Sequence, residues 1–160
     1  MLKYFNFDIV FQEIPNEVTL AINISNCPCH CPGCHSKFLW NDVGTELNIT
    51  EYDRLLSSVM RDITCVCFMG GDAEPEYINM LAEYTKRYFK QIKVGWYTGR
   101  TIVSKAVNLE WMDYVKVGPY IRHLGGLKSP QTNQRLYEVI HPSLEMKDIT
   151  YLFQRKRELT

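Results

Sequence analysis

The hydrophobic period of this chain switches repeatedly between two and about 3.6, and that alternation limits the fold more than any other feature. Residues 4–11 alternate, which places Phe5, Phe7, Ile9 and Phe11 on one face of a strand. Glu17 to Ser25 alternates again and groups Val18, Leu20, Ile22 and Ile24. A helix is predicted over about 51–61 behind Thr50 as N-cap, because Tyr52, Leu55, Leu56, Val59 and Met60 recur as one apolar stripe. Residues 63–69 form an almost wholly apolar run, the pattern of a strand covered on both faces. A second helix follows over about 76–90, with Ile78, Leu81, Ala82, Thr85 and Phe89 inward, then a strand at 92–97 and a helix near 101–108. A strand at 114–118 comes next, and shorter strand-like runs return at 136–140 and 149–153. Strands alternating with helices predict the α/β class, with βαβ units around a parallel sheet. Ligands of such sheets gather at the carboxyl ends of the strands. Those ends carry a cysteine loop, Gly70-Gly71-Asp72, Tyr97-Thr98-Gly99 and Gly118-Pro119, so one sheet edge is expected to collect the unusual residues.

The 160 residues suit a single domain, 1–160, with the cysteine loop at 26–36 and a tail from about 154 to 160. Lys plus Arg and Asp plus Glu both number 18, so the net charge is zero. That balance argues against a general nucleic-acid binder or an anionic membrane surface, both of which depend on a basic excess. No stretch approaches the length of an apolar membrane span. Residues 1–8 lack a basic segment followed by an apolar core, so the expected compartment is the cytoplasm, where thiols stay reduced. Six cysteines are informative against that background, and four of them lie between positions 27 and 34.

The loop reads Cys27-Pro28-Cys29-His30-Cys31-Pro32-Gly33-Cys34-His35. Cys27, Cys31 and Cys34 are separated by three and then two residues. Iron–sulfur clusters are held by cysteine thiolates, and three protein thiolates on a four-iron cluster leave one iron without a protein ligand. An open position is where a metal centre does chemistry. Two other readings of the loop compete. A zinc site could use four of Cys27, Cys29, Cys31, Cys34, His30 and His35, or draw a pair from Cys65 and Cys67. Disulfides are the third possibility. Cys29 is extra to the spacing, and Cys65 and Cys67 read as small buried hydrophobes on one side of a strand.

The cysteine spacing resembles the hallmark of the radical S-adenosylmethionine superfamily, and within it the chain looks most like the activating proteins of anaerobic (class III) ribonucleotide reductases. Phe68-Met69-Gly70-Gly71-Asp72 resembles that family's strand ending in a glycine pair and an acid. Trp96-Tyr97-Thr98-Gly99, Asp113 to Tyr120 and Thr132-Asn133-Gln134-Arg135 are similar to further segments in the same order. The resemblance implies a partial TIM-like β/α barrel with mostly parallel strands. It also implies one [4Fe-4S] cluster on Cys27, Cys31 and Cys34, and S-adenosylmethionine bound at its fourth iron. Gly70 and Gly71 would approach the methionyl group, and Gly33, Cys34 and His35 would flank the ligand. Thr98 and Lys116 are candidates for its ribose and carboxylate, and either Asp72 or Glu74 would face it. The implied activity is reductive cleavage of S-adenosylmethionine to create a glycyl radical on an anaerobic ribonucleoside-triphosphate reductase. The implied electron donor is a flavodoxin or ferredoxin. Relatives that activate other glycyl-radical enzymes, or modify small molecules, share the same cofactors. Phe38, Trp40, Tyr97 and Tyr120 are candidates for a docking surface at the mouth.

Overall fold

A computed structural model of the chain describes residues 1–31, 34 and 37–154, with only the backbone of Phe38. One eight-stranded sheet organises it. The strands are β1 (Lys3–Val10), β2 (Thr19–Ile24), β3 (Thr45–Glu46), β4 (Cys65–Met69), β5 (Lys93–Tyr97), β6 (Tyr114–Val117), β7 (Arg135–Ile140) and β8 (Glu145–Asp148). Their spatial order is β3-β1-β2-β4-β5-β6-β7-β8. The central pairings β2–β4, β4–β5 and β5–β6 are parallel, while β1–β2, β1–β3, β6–β7 and β7–β8 are antiparallel.

This is a mixed α/β sheet with β3 and β8 as outer strands, and it corrects the expectation of mostly parallel strands. Connection length supplies the reason. Parallel neighbours need a crossover of a dozen or more residues, usually a helix, and among the described residues only α1 (Ile49–Val59) and α2 (Pro75–Tyr88) are α-helical. The short links 11–18 and 141–144 fold back on the same edge and make antiparallel neighbours. The helix expected near 101–108 is instead a run of turns ending at the short 3-10 segment Leu109–Trp111. The β-branched run Thr101-Ile102-Val103 disfavours a helix there. The strand expected at 149–153 is a 3-10 turn, Thr150–Phe153, and the last strand lies just before it.

Helix α1 begins two residues earlier than its period suggests, because Asn48 rather than Thr50 caps it: the Asn48 side chain accepts the Glu51 N–H at 2.8 Å. Pro75 occupies the first turn of α2, where its missing N–H costs nothing. Both helices cover one face of the sheet. Tyr52, Leu55 and Leu56 of α1 and Ile78, Leu81 and Ala82 of α2 bury Leu20, Ile22, Val66, Phe68, Val94, Trp96 and Val115. Cys65, Cys67 and Tyr114 point to the opposite face and pack with Ile14, Leu136 and Ile149. Because both faces of β4 are covered, its five residues are apolar without alternation, as the sequence pattern requires.

Candidate metal centre

The parallel strands β2, β4, β5 and β6 all end at the same edge of the sheet. Each is followed by a loop that carries chemistry: residues 25–36, 70–74, 98–100 and 118–120.

The cysteine loop leaves β2 through Asn26, whose φ of 60° turns the chain sharply. The N–H groups of Asn26 and Cys27 donate to the carbonyls of Asn41 (3.0 Å) and Leu39 (2.8 Å), which fastens the loop to the 3-10 segment Lys37–Trp40. His30, also at positive φ (45°), stacks its ring on Trp40 at 4.5 Å with planes 6° apart. The Cys34 N–H donates to the Cys31 carbonyl at 3.0 Å. Cys27, Cys29, Cys31 and Cys34 are in no disulfide and are all half-buried. Hydrogen bonding from Cys29 pulls the Cys27 thiol down to about 6, and Cys29 is pushed up in return, with burial and the Asp72 charge adding to the rise. Partly exposed thiols form the donor set an iron–sulfur cluster needs, Cys27 among them has thiolate character, and the bond from Cys34 to Cys31 ties two of them together. The residues therefore fit such a cluster. Among the described residues no three His, Cys, Asp or Glu side chains already form a metal cage. Gly33 and His35, expected beside the ligand, lie outside the described residues.

The glycine pair closes β4. Gly70 and Gly71 have φ of 115° and 94°, a region that side-chain-bearing residues rarely adopt. The Gly70 N–H donates to the Tyr97 carbonyl at 3.1 Å, and the Gly70 carbonyl accepts the Trp96 indole N–H at 2.7 Å. The Gly71 carbonyl accepts the Glu74 N–H at 3.1 Å. Each carbonyl thus keeps one lone pair for another donor.

Asp72 and Glu74 take different partners. Glu74 turns outward and pairs with the Met1 amine at 3.0 Å. Asp72 turns inward: Oδ1 accepts the Thr98 hydroxyl, while Oδ2 accepts the Gly99 N–H at 2.9 Å and the Cys29 thiol at 3.5 Å. Thr98 is fully buried, and its oxygen also accepts the Arg100 N–H at 3.1 Å, so its hydroxyl serves the loop architecture.

Lys116 is 8% exposed on β6, with Nζ donating to the Gly118 carbonyl at 3.2 Å and lying 5.4 Å from the Tyr97 ring centre. Burial lowers its pKa, and the negative charges of Asp72, Cys31, Cys67 and Cys29 work against that shift. The lysine therefore belongs electrostatically to the cysteine loop. Cys65 and Cys67 are buried with thiol pKa values raised chiefly by burial, as inert packing residues are. A cavity of about 410 Å³ opens on the same face as Lys116, lined by Glu13, Tyr97, Tyr120, Lys128, Gln134 and Phe153 among others. Of the expected docking aromatics, Tyr97 and Tyr120 share this cavity, Trp40 lies against His30, and the Phe38 side chain is outside the described residues.

Sequence reasoning assigned no role to Trp96, Asn133 or Gln134. The Trp96 indole holds the glycine pair. Asn133 donates to the Pro119 carbonyl at 3.0 Å, and Gln134 to that of Gly118 at 3.4 Å, so together they secure the loop after β6. The only signal for the last two was the unassigned Asn-Gln-Arg segment.

No curated protein and no solved structure matches this chain. The model of one family, described as a 4Fe-4S single cluster domain, matches residues 17–125, a span that holds the cysteine loop, the glycine pair and Lys116. That span is more than half of the 160 residues, and the chain belongs to the 4Fe-4S single cluster domain family.

Proposed function

We propose that the protein is a radical S-adenosylmethionine activase that generates a glycyl radical on an anaerobic ribonucleoside-triphosphate reductase. One observation carries the reading: a cysteine loop of spacing three and two, a left-handed glycine pair and a buried lysine lie at the carboxyl ends of the parallel central strands of a mixed sheet. Those ends are where a partial β/α barrel of this superfamily would place its cofactors.

Cys27, Cys31 and Cys34 are the thiolates assigned to the cluster, one cluster per chain. Gly70 and Gly71 let the backbone approach a methionyl group, and their free lone pairs accept from its amine. Lys116 offers a cation to a carboxylate from its place beside Tyr97, and Gly33, Cys34 and His35 flank the same region in the chain. When bound, cluster and S-adenosylmethionine would supply one-electron reductive cleavage of the sulfonium and, through it, hydrogen abstraction from a glycine Cα. The electron comes from a flavodoxin or ferredoxin. The chain itself binds, orients and excludes water, and no side chain is assigned as a general base.

Anaerobic reconstitution with iron and sulfide tests the proposal. Full loading should give dithionite-dependent cleavage of S-adenosylmethionine, and a glycyl radical should appear by electron paramagnetic resonance when the reductase is added. Cys27→Ala, Cys31→Ala and Cys34→Ala should each lose the cluster. A loaded protein that leaves S-adenosylmethionine intact overturns the reading. Cleavage without a glycyl radical on the reductase assigns the same cofactors to a different substrate.

A further inference from the structure

Three donors from two other strand-end loops converge on Asp72. Oδ1 takes the buried Thr98 hydroxyl, and Oδ2 takes the Gly99 N–H at 2.9 Å and the Cys29 thiol at 3.5 Å. The carboxylate thereby joins the loop after β4, which it sits on, to the loop after β5 and to the cysteine loop after β2.

We propose that Asp72 is a positioning residue for the cluster: it clamps Cys29 against Gly99, and so leaves Cys27, Cys31 and Cys34 as the thiols that face the metal. A second, independent feature supports the clamp. Gly99 makes the seat for the Cys29 side chain, since a Cβ at position 99 would stand 2.8 Å from the Cys29 sulfur and 3.2 Å from its Cβ. No positive φ explains that glycine, so the space is used for the thiol. Within Cys27-Pro28-Cys29, two cysteines stand two residues apart, and a loop able to slide could offer either one. The Asp72 carboxylate takes the Cys29 proton at 3.5 Å, in competition with the neighbouring Cys27 sulfur, and with the Gly99 seat it holds the Cys29 side chain in one place. The proposal rests on iron–sulfur binding alone, so it stands or falls separately from the activase reading.

The test uses the full chain, reconstituted anaerobically with ferrous iron and sulfide. Three quantities are read: iron per chain, the electron paramagnetic resonance spectrum after dithionite, and the rate of iron loss to a chelator. Cys29→Ser keeps a hydroxyl donor and should match wild type in all three. Cys29→Ala should keep the iron content and spectrum but release iron about 3- to 10-fold faster, the effect of one lost hydrogen bond. Asp72→Asn should release iron faster by a similar factor, because a neutral amide oxygen is a weaker acceptor than a carboxylate oxygen. Thr98→Val cuts one arm of the clamp without touching the cysteine loop, and it carries the test if the Asp72 variant does not fold. Lower iron content and an altered spectrum in both Cys29→Ser and Cys29→Ala would make Cys29 a ligand and overturn the proposal. Unchanged release rates in Cys29→Ala and Thr98→Val would overturn it as well.

Discussion

Glu17 is buried with a charge it cannot fully satisfy. Its side chain is 8% exposed, Oε1 lies 3.7 Å from Lys93 Nζ, and Oε2 has no hydrogen-bond partner among the described residues. Burial raises its pKa, and the Lys93 charge and the Thr64 hydroxyl only partly oppose the rise. The Lys93 side chain is 52% exposed, so water screens the pair and leaves it little strength. With a folded-state pKa above the unfolded value, the folded chain takes up the proton first as pH falls. The associated stability is fully present below the ordinary carboxylate range and is lost as pH rises through the folded pKa. At pH 7 the ionised side chain therefore costs stability. Glu17→Gln should raise the urea midpoint at pH 7, and the gain should shrink steadily toward pH 4. A midpoint at or below wild type at pH 7 would show that the Lys93 pair outweighs burial.

Among the elements, the join of β4 to its glycine pair carries the most strain-sensitive geometry. An alanine at position 70 would have to hold φ of 115° and bring its Cβ to 3.1 Å from the Ile24 carbonyl of β2. Gly70→Ala should cost about 1–2 kcal/mol from the left-handed backbone alone. It should also speed iron loss by loosening the bond between the Trp96 indole and the Gly70 carbonyl. Gly126→Ala is the control, because its Cβ meets nothing nearer than Gln134 Oε1 at 3.8 Å. Equal midpoints for the two variants would show that the turn relaxes freely. Strands β2, β4, β5 and β6 are legible in the sequence because period and apolarity report burial directly. The direction in which neighbours pair leaves no trace in a period of two, which is why β1 and β7 are legible as strands while their antiparallel pairing is not. The cysteine spacing and the glycine pair are legible because they are local. The Trp96 indole on Gly70 and the three donors on Asp72 join positions 26–43 residues apart, and only the register of parallel strands brings them together.

For the whole molecule, the decisive point is that the core lies away from the cysteines of the loop. The main buried cluster runs from Leu2 to Val139 through both helices and the central strands, and it includes none of Cys27, Cys29, Cys31 or Cys34. Small metal domains that lack such a core unfold when the metal leaves. Here the sheet, its two helices and the second apolar layer around Ile14 and Leu136 stand on their own burial. Removing the iron anaerobically with a chelator should therefore leave the far-ultraviolet circular dichroism nearly unchanged. Denaturant unfolding should stay cooperative, with the same slope as the loaded protein, because the surface exposed on unfolding is nearly the same. The cluster should add stability only by binding the folded state, raising the midpoint without reshaping the transition. Cys27→Ala, Cys31→Ala and Cys34→Ala should behave like the chelated protein, folded and free of iron, so that loss of activity in them reports the metal centre rather than the fold. Collapse of the dichroism on chelation would instead make the cysteine loop an organiser of the sheet. The anchoring bonds from Asn26 and Cys27 to Asn41 and Leu39 would then be where that dependence enters.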